Sequence, residues 1–274
     1  MLVDTHCHLN FDSFDLDRAA VLRSAEQAGV NRILNPGIDL QTSRAAVELA
    51  QAFPGVFAAV GVHPNDASGW SDTTLGELRN LAAQPKVVAI GEIGLDYYWQ
   101  RTERSVQIEV FEQQLDLAAD LGLPVVVHVR DASLEDRPAM HDALDILVVW
   151  QKHLVVRSPG LSSRPGVLHS FSGDLEDARR GAASQFCIGV TGPVTFKKAD
   201  ILRQVATELP VEHLLIETDA PFLTPHPHRG ERNEPAYVRY IAEKIAALRE
   251  MEYDSFVQTT TDSAERLFRW QVNS

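Results

Sequence analysis

Cysteine is nearly absent from this chain: Cys7 and Cys187 are the only two among 274 residues. Two thiols cannot build the disulfide framework of a secreted scaffold, so a reducing, cytoplasmic setting is expected. Long apolar runs are missing too. No window approaches the roughly 18 apolar residues of a membrane-spanning helix, and no membrane partner is expected. A strand-like run begins at Leu2-Val3, so no signal peptide is expected ahead of Asp4. Positive charge is scarce, with 25 Lys and Arg against 38 Asp and Glu and a net charge of −13. That is the opposite of the basic footprint of a duplex-binding protein. Finally, the glycines after the first run do not form G-x-G-x-x-G, which counts against a doubly wound nucleotide-binding sheet.

What is present begins with the end of the first strand, Asp4-Thr5-His6-Cys7-His8. Residues two apart on a strand share a face, so His6 and His8 offer two imidazoles to one point, a metal-ligand geometry. Cys7 alternates away and reads as a packed thiol. A second pair, His226-Pro227-His228, lies among Pro221, Pro225 and Pro227 and reads as loop.

The first pair gains weight because a unit recurs along the chain: a short Val/Ile/Leu-rich run ending in a polar residue, then a helical stretch. After the first, runs end at Asn35, at Gly61-Val62-His63-Pro64, at Gly91-Glu92 and at Val127-His128. Others end at Leu168-His169, near Thr191 and at Glu217-Thr218-Asp219. The stretches between have helical period: Ile108, Phe111, Leu115 and Ala118 form one face, and Glu109, Gln113, Asp116 and Asp120 the other. Eight strand–helix units predict an α/β chain of the (β/α)8 TIM-barrel type, whose active sites sit at the C-terminal strand ends. Hydrophobic residues make up 45% of the sequence, enough for a single domain over 1–274. The terminal Asn273-Ser274 is expected to fray.

Each candidate has an ordinary alternative. Glu92, closing Val87-Val88-Ala89-Ile90-Gly91, could simply pair with a lysine or arginine. His128, after Pro124-Val125-Val126-Val127, could be a satisfied core histidine. His169 opens the polar loop His169-Ser170-Phe171-Ser172-Gly173, and Asp219, ahead of Pro221, could be a helix N-cap. Their strength is collective, because a barrel brings all of them to one rim.

These segments resemble the motifs of the TatD family of metal-dependent hydrolases. The matching stretches are Asp4-Thr5-His6-Cys7-His8-Leu9, Gly61-Val62-His63-Pro64 and Gly91-Glu92-Ile93-Gly94-Leu95-Asp96-Tyr97. Further matches are His128-x-Arg130-x-Ala132, His169 to Gly173, Glu217-Thr218-Asp219-Ala220-Pro221, and Arg229-Gly230 with Asn233-Glu234-Pro235. The resemblance implies a metal-dependent barrel, with many members described as DNases. Carried over by position, His6, His8, Glu92 and Asp219 hold one metal, and Glu92 bridges to a second held by His128 and His169. The cofactors expected are two divalent ions, Mg2+, Mn2+ or Zn2+. His63 and Arg130 match positions that face substrate.

From that ligand set a mechanism follows. Paired cations acidify a bridging water and clamp a phosphodiester, Asp219 accepts the water's proton, and Arg130 with His63 holds the phosphate oxygens. Glu217 is expected either to support a ligand or to pair elsewhere. The stretch 134–165 reads as a longer loop insert containing His141 and His153. His169 is preferred to both as ligand. Lys152, Arg157 and Arg164, and a second cluster of Arg229, Arg232, His226 and His228, could line a phosphate-binding rim on an otherwise repelling surface. The leading expectation is a monomeric 3′–5′ exonuclease on single-stranded DNA or DNA ends. The alternatives are a hydrolase of a C–N or ester bond in a small molecule or aminoacyl-tRNA, and a scaffold with an inactive site.

Overall fold

All eight runs become parallel strands in the computed structural model, which describes residues 1–133 and 135–270. They are β1 (Leu2–Asp4), β2 (Val30–Pro36), β3 (Val56–Val60), β4 (Val87–Asp96), β5 (Val125–Arg130), β6 (Gly166–Leu168), β7 (Cys187–Val190) and β8 (Leu214–Ile216). Each pairs with the next in chain order. Past the ends of β8 and β1 the ring is drawn together by backbone bonds: Thr5 donates to Ile216 at 3.2 Å, Asp219 to His6 at 2.8 Å and His8 to Ala220 at 2.8 Å. The expected (β/α)8 barrel is what forms. The expected fraying of Asn273-Ser274 lies outside the described residues.

Helices α1 (Arg18–Gln27), α2 (Leu40–Ala52), α3 (Asp72–Ala82), α4 (Arg104–Leu121), α5 (Pro138–Arg157), α6 (Pro159–Ser162), α7 (Leu175–Ala183) and α8 (Asp200–Glu208) connect successive strands. After β8, α9 (Val238–Leu248) and α10 (Tyr253–Phe268) complete the outer layer. Alternation along each strand separates two cores. On β5, Val125 and Val127 face the helices, where they join Phe111, Leu115 and Leu144. Val126 faces the lumen with Val3, Leu34, Phe57, Val167 and Leu215, and this inner cluster is continued by Leu267, Phe268 and Trp270 from the end of α10. Burying each such side chain is worth roughly 1.5–3 kcal/mol, so the lumen is a packed core with one end stoppered.

Two expectations are corrected. The 134–165 stretch is mostly the helix α5 with its short continuation, not a loop. Its buried Met140, Ala143, Leu144, Leu147, Trp150 and Leu154 recur at three- and four-residue steps, the helical period. Nor does that stretch supply a phosphate rim. A crossover helix returns the chain to the lower end of the barrel, so Arg157 ion-pairs with Asp116 and Asp120 on α4. Arg164 donates to the carbonyls of Leu267 at 2.8 Å and Gly122 at 2.9 Å.

Candidate metal centre at the C-terminal strand ends

His6 and His8 lie just beyond β1, where Cys7 bridges to Ala220. They are 0% and 4% exposed, and their Nε2 atoms are 3.1 Å apart, so the two imidazoles do converge on one point. Cys7 is fully buried in the outer core, as alternation requires.

Glu92 stands in the middle of β4 and receives histidines on both oxygens. Its Oε2 is 3.3 Å from His6 Nε2 and 3.5 Å from His8 Nε2. Its Oε1 is 2.8 Å from His128 Nδ1, 3.0 Å from His169 Nε2 and 3.8 Å from His63 Nε2. The alternative of a Lys or Arg partner for Glu92 is not what the structure holds. Asp219, in the left-handed region at φ 55°, sets Oδ1 3.8 Å from His6 Nε2 and 3.6 Å from His8 Nε2. The six predicted ligand positions therefore meet. His141 and His153 are exposed on α5, and the nearest carboxylate to His141 is Asp177 at 3.8 Å.

The tightest groups add two residues to this set. His63 forms a compact triad with Glu92 and His128, and Glu217 forms one with His6 and His169. His63 is also fixed by its Nδ1, which accepts from the Asn65 backbone N–H at 3.1 Å. Arg130, at the end of β5, lays its guanidinium over Tyr98 at 4.2 Å and Trp99 at 5.5 Å and lines the cleft beside the histidines.

A supporting layer, of which the sequence suggests only Glu217, lies behind these residues. His128 Nε2 is 3.4 Å from Asp96, which also accepts from Asn65 at 3.0 Å and from the Tyr98 and Trp99 backbone N–H groups. Glu217 accepts from Ser170 N–H at 2.5 Å and Thr5 Oγ1 at 3.1 Å, with His169 Nδ1 3.5 Å away. It therefore both lies against His169 and pairs with Ser170 and Thr5. Gln107 and Gln114 are buried despite their polarity. Gln107 bonds both backbone groups of Asp96, and Gln114 both of Val62. Asp96 and Glu217 lie within Gly91–Tyr97 and Glu217–Pro221, and their roles depend on contacts across strands. Two glycines make space for this layer. A Cβ on Gly189 would sit 2.4 Å from Glu217 Oε1, and one on Gly94, at φ 139°, 2.0 Å from the His128 carbonyl.

Burial and mutual repulsion set the protonation states. Desolvation, reinforced by His6, lowers the pKa of His8 to about 3. Desolvation and His128 lower that of His63 to about 3. Burial also opposes charging of His128 and His169, yet Asp96 and Glu92 raise the first, and Glu92 and Glu217 raise the second further. For Glu92, burial is outweighed by His169 and His6, so its carboxyl stays well below the usual range. Burial raises Asp219. Burial likewise pushes Asp4 up to about 8, against bonds from Thr218 that tie the exits of β1 and β8 together.

These donors fit divalent cations. The converging Nε2 atoms of His6 and His8 and the ionised Glu92 are ligand types such ions take, and His128 and His169 would give up their protons on binding. Burying so many ionisable groups is costly unless they are paired or coordinated. The centre opens into a cleft of about 1600 Å3. Its mouth also holds Arg229, His226, Lys197 and Lys198. By contrast Arg232 is bound to Asp17 and Glu234, and His228 to Glu231 and Tyr240, so only half of that basic cluster reaches the cleft.

Residues 3–269 match the family model for TatD related DNase. A metal-dependent hydrolase of Bacillus subtilis, YabD, is 42% identical over 269 residues, covering 98% of this chain and 99% of its own. A protein of Erwinia billingiae named 3′-5′ ssDNA/RNA exonuclease TatD is 36% identical over 275 residues, covering 98% and 99%. The crystal structure of the Escherichia coli TatD homologue YJJV superposes with a TM-score of 0.87 at 31% identity, covering 98% of each chain. With the motifs in register and the barrel shared from end to end, this chain belongs to the TatD-related DNase family of hydrolytic enzymes.

Proposed function

We propose that the enzyme hydrolyses phosphodiester bonds of DNA as a 3′–5′ exonuclease on single strands, using two divalent cations, Mg2+, Mn2+ or Zn2+. The observation that carries this reading is the two-sided environment of Glu92, with His6 and His8 on one oxygen and His128 and His169 on the other. In this reading His6, His8, Glu92 and Asp219 hold one cation, and Glu92, His128 and His169 the other. Bound there, the cations supply Lewis acidity that acidifies water and offsets charge on a phosphodiester. Glu92 holds the two halves of the centre in register. Asp219, its basicity raised by burial, takes the proton of the attacking water. Arg130 and His63 hold the non-bridging phosphate oxygens, the guanidinium through paired bonds. Asp96 and Glu217 fix the rings of His128 and His169.

The chain is taken to act as a single-domain monomer. A cytoplasmic setting is supported by Cys7 and Cys187, both free and buried. Its net charge of −13 repels a long polyanion, so affinity rests on a few contacts near the cleft. That favours a free strand end, and a relative carries the name of a 3′-5′ ssDNA/RNA exonuclease. Linear and circular single-stranded DNA of matched sequence, incubated with each metal, test the proposal. Release of mononucleotides from 3′-labelled linear strands with circles spared is expected. Equal loss of both would show internal cutting, and hydrolysis confined to amide or small ester substrates would replace the proposal with the C–N or ester hydrolase.

A further inference from the structure

Next to the metal-centre residues, an aromatic stair leads out to solvent. Phe11 stacks on His8 with ring centroids 4.5 Å apart and planes 17° from parallel. Phe222 meets Phe11 edge to face at 6.1 Å and is 52% exposed. An exposed phenylalanine is common on a mobile loop, but this one is rigidly mounted. Phe222 N–H donates to the Asp219 carbonyl at 2.9 Å. The buried Asn233 donates to the carbonyls of Thr218 at 2.8 Å and Phe222 at 2.5 Å, and its own N–H reaches Pro221 at 3.1 Å. The turn that aims Asp219 inward thus also holds an apolar ring outward.

We infer that Phe222, braced edge to face by Phe11, offers a stacking face for an unpaired nucleobase of the nucleotide whose phosphate lies at the histidine–carboxylate centre. The ligand chemistry follows from what adjoins the face. A molecule reaching both must place an anion at the centre and a flat ring beside Phe222, and cations close the cleft further out. Arg130 and Arg101 lie over Tyr98 and Trp99 on one wall, and Arg229 over Phe196 at 4.4 Å on another. Phosphates joined through sugars that each carry a flat base are the repeat of a nucleic-acid strand. Aromatic stacking tolerates any base but requires an uncovered face, which a paired and stacked duplex does not offer. The face thereby selects single strands without reading sequence. This inference rests on the phosphodiesterase reading above.

The test uses the full-length, metal-loaded enzyme and oligonucleotides whose two 3′-terminal positions are normal or abasic. Stacking on one aromatic side chain corresponds to roughly 5- to 100-fold in affinity. Phe222→Ala is expected to lower kcat/KM on normal strands by that factor, mainly through KM, while leaving turnover of the abasic strand unchanged. Phe222→Trp is expected to keep the preference for the normal strand, and Phe11→Ala to reduce it. Equal losses on normal and abasic strands would assign Phe222 a structural role and overturn the inference, as would no loss on either. A wild-type enzyme that cleaves both strands equally well overturns it while sparing the phosphodiesterase reading. One that cleaves no strand with any metal overturns both.

Discussion

The two ends of the barrel lumen are made by the same strands and differ by a single step of two residues. At the lower end β5, β6 and β8 present Val126, Val167 and Leu215, closed beneath by Phe268 and Trp270. One inward position later the chain presents His128, His169 and Glu217, all lying against carboxylate or imidazole. Both ends are buried, yet they are held by different physics. Apolar contact at the lower end needs no particular partner and stabilises in proportion to area. At the upper end every group depends on a specific neighbour, and removing one leaves another charge buried without compensation.

The largest effect expected is at the centre of the upper end. Glu92→Gln should abolish binding of about two cations and with it nearly all turnover, measured by metal analysis and DNA hydrolysis. Asp219→Asn should cost roughly 10²–10⁴-fold in kcat, and more than the matching change at Glu217. Nearly full activity in Asp219→Asn with metal retained would end its role as base. His6→Ala and His128→Ala should each remove part of the metal, and identical complete losses would argue against two separable halves.

The lower end should respond the other way. Phe57 is 1% exposed and packs edge-on against Trp270 at 4.8 Å. Phe57→Ala should cost about 3–5 kcal/mol in denaturant unfolding while the metal content of the folded protein stays unchanged. Loss of metal in proportion to stability would show the two ends to be coupled.

A pH series sharpens the contrast. The folded pKa values of His128 and His169 lie above the usual 6.5, so the stability they lend the chelated protein is complete below about that pH. It is lost as pH rises through their raised values. Glu92 works in the opposite sense: its contribution is present above its ordinary 4.5 and fades as pH falls through its depressed value. Above about pH 6.5 chelated protein should therefore lose stability as pH rises, with Asp4, raised to about 8, acting in the same sense, while below 6.5 the depressed His8 and His63 remove stability as pH falls. Cation binding should displace protons at low pH and tighten as pH rises, because ligating imidazole must be unprotonated. Melting curves with chelator and with Mn2+ from pH 5 to 9 check this. A gain in stability of chelated protein on going from pH 6.5 to 9 would contradict it.

The smallest effect belongs outside the lumen altogether. Arg157→Ala removes exposed pairs with Asp116 and Asp120, worth at most about 1 kcal/mol. It should leave the affinity for single-stranded DNA unchanged, whereas Arg130→Ala should weaken it. The salt slope should be shallow, with roughly two or three phosphates engaged at −0.7 each.

Which parts of this arrangement could be read from the chain alone depends on whether the signal is local. Alternation and strand–helix spacing are properties of neighbouring residues, so they define eight strands, the barrel, and a rim carrying His6, His8, Glu92, His128, His169 and Asp219. Partner choice is not local. That Asp96 backs His128, that Glu217 backs His169 and that buried Gln107 and Gln114 clamp strand ends depend on register between elements distant in sequence. The same holds for the basic residues. Arg157 and Arg229 look alike in the sequence, but one lies on a helix descending from the mouth and the other in a loop beside it. Periodicity dictates which face a side chain takes, and only the closed barrel decides which groups meet there.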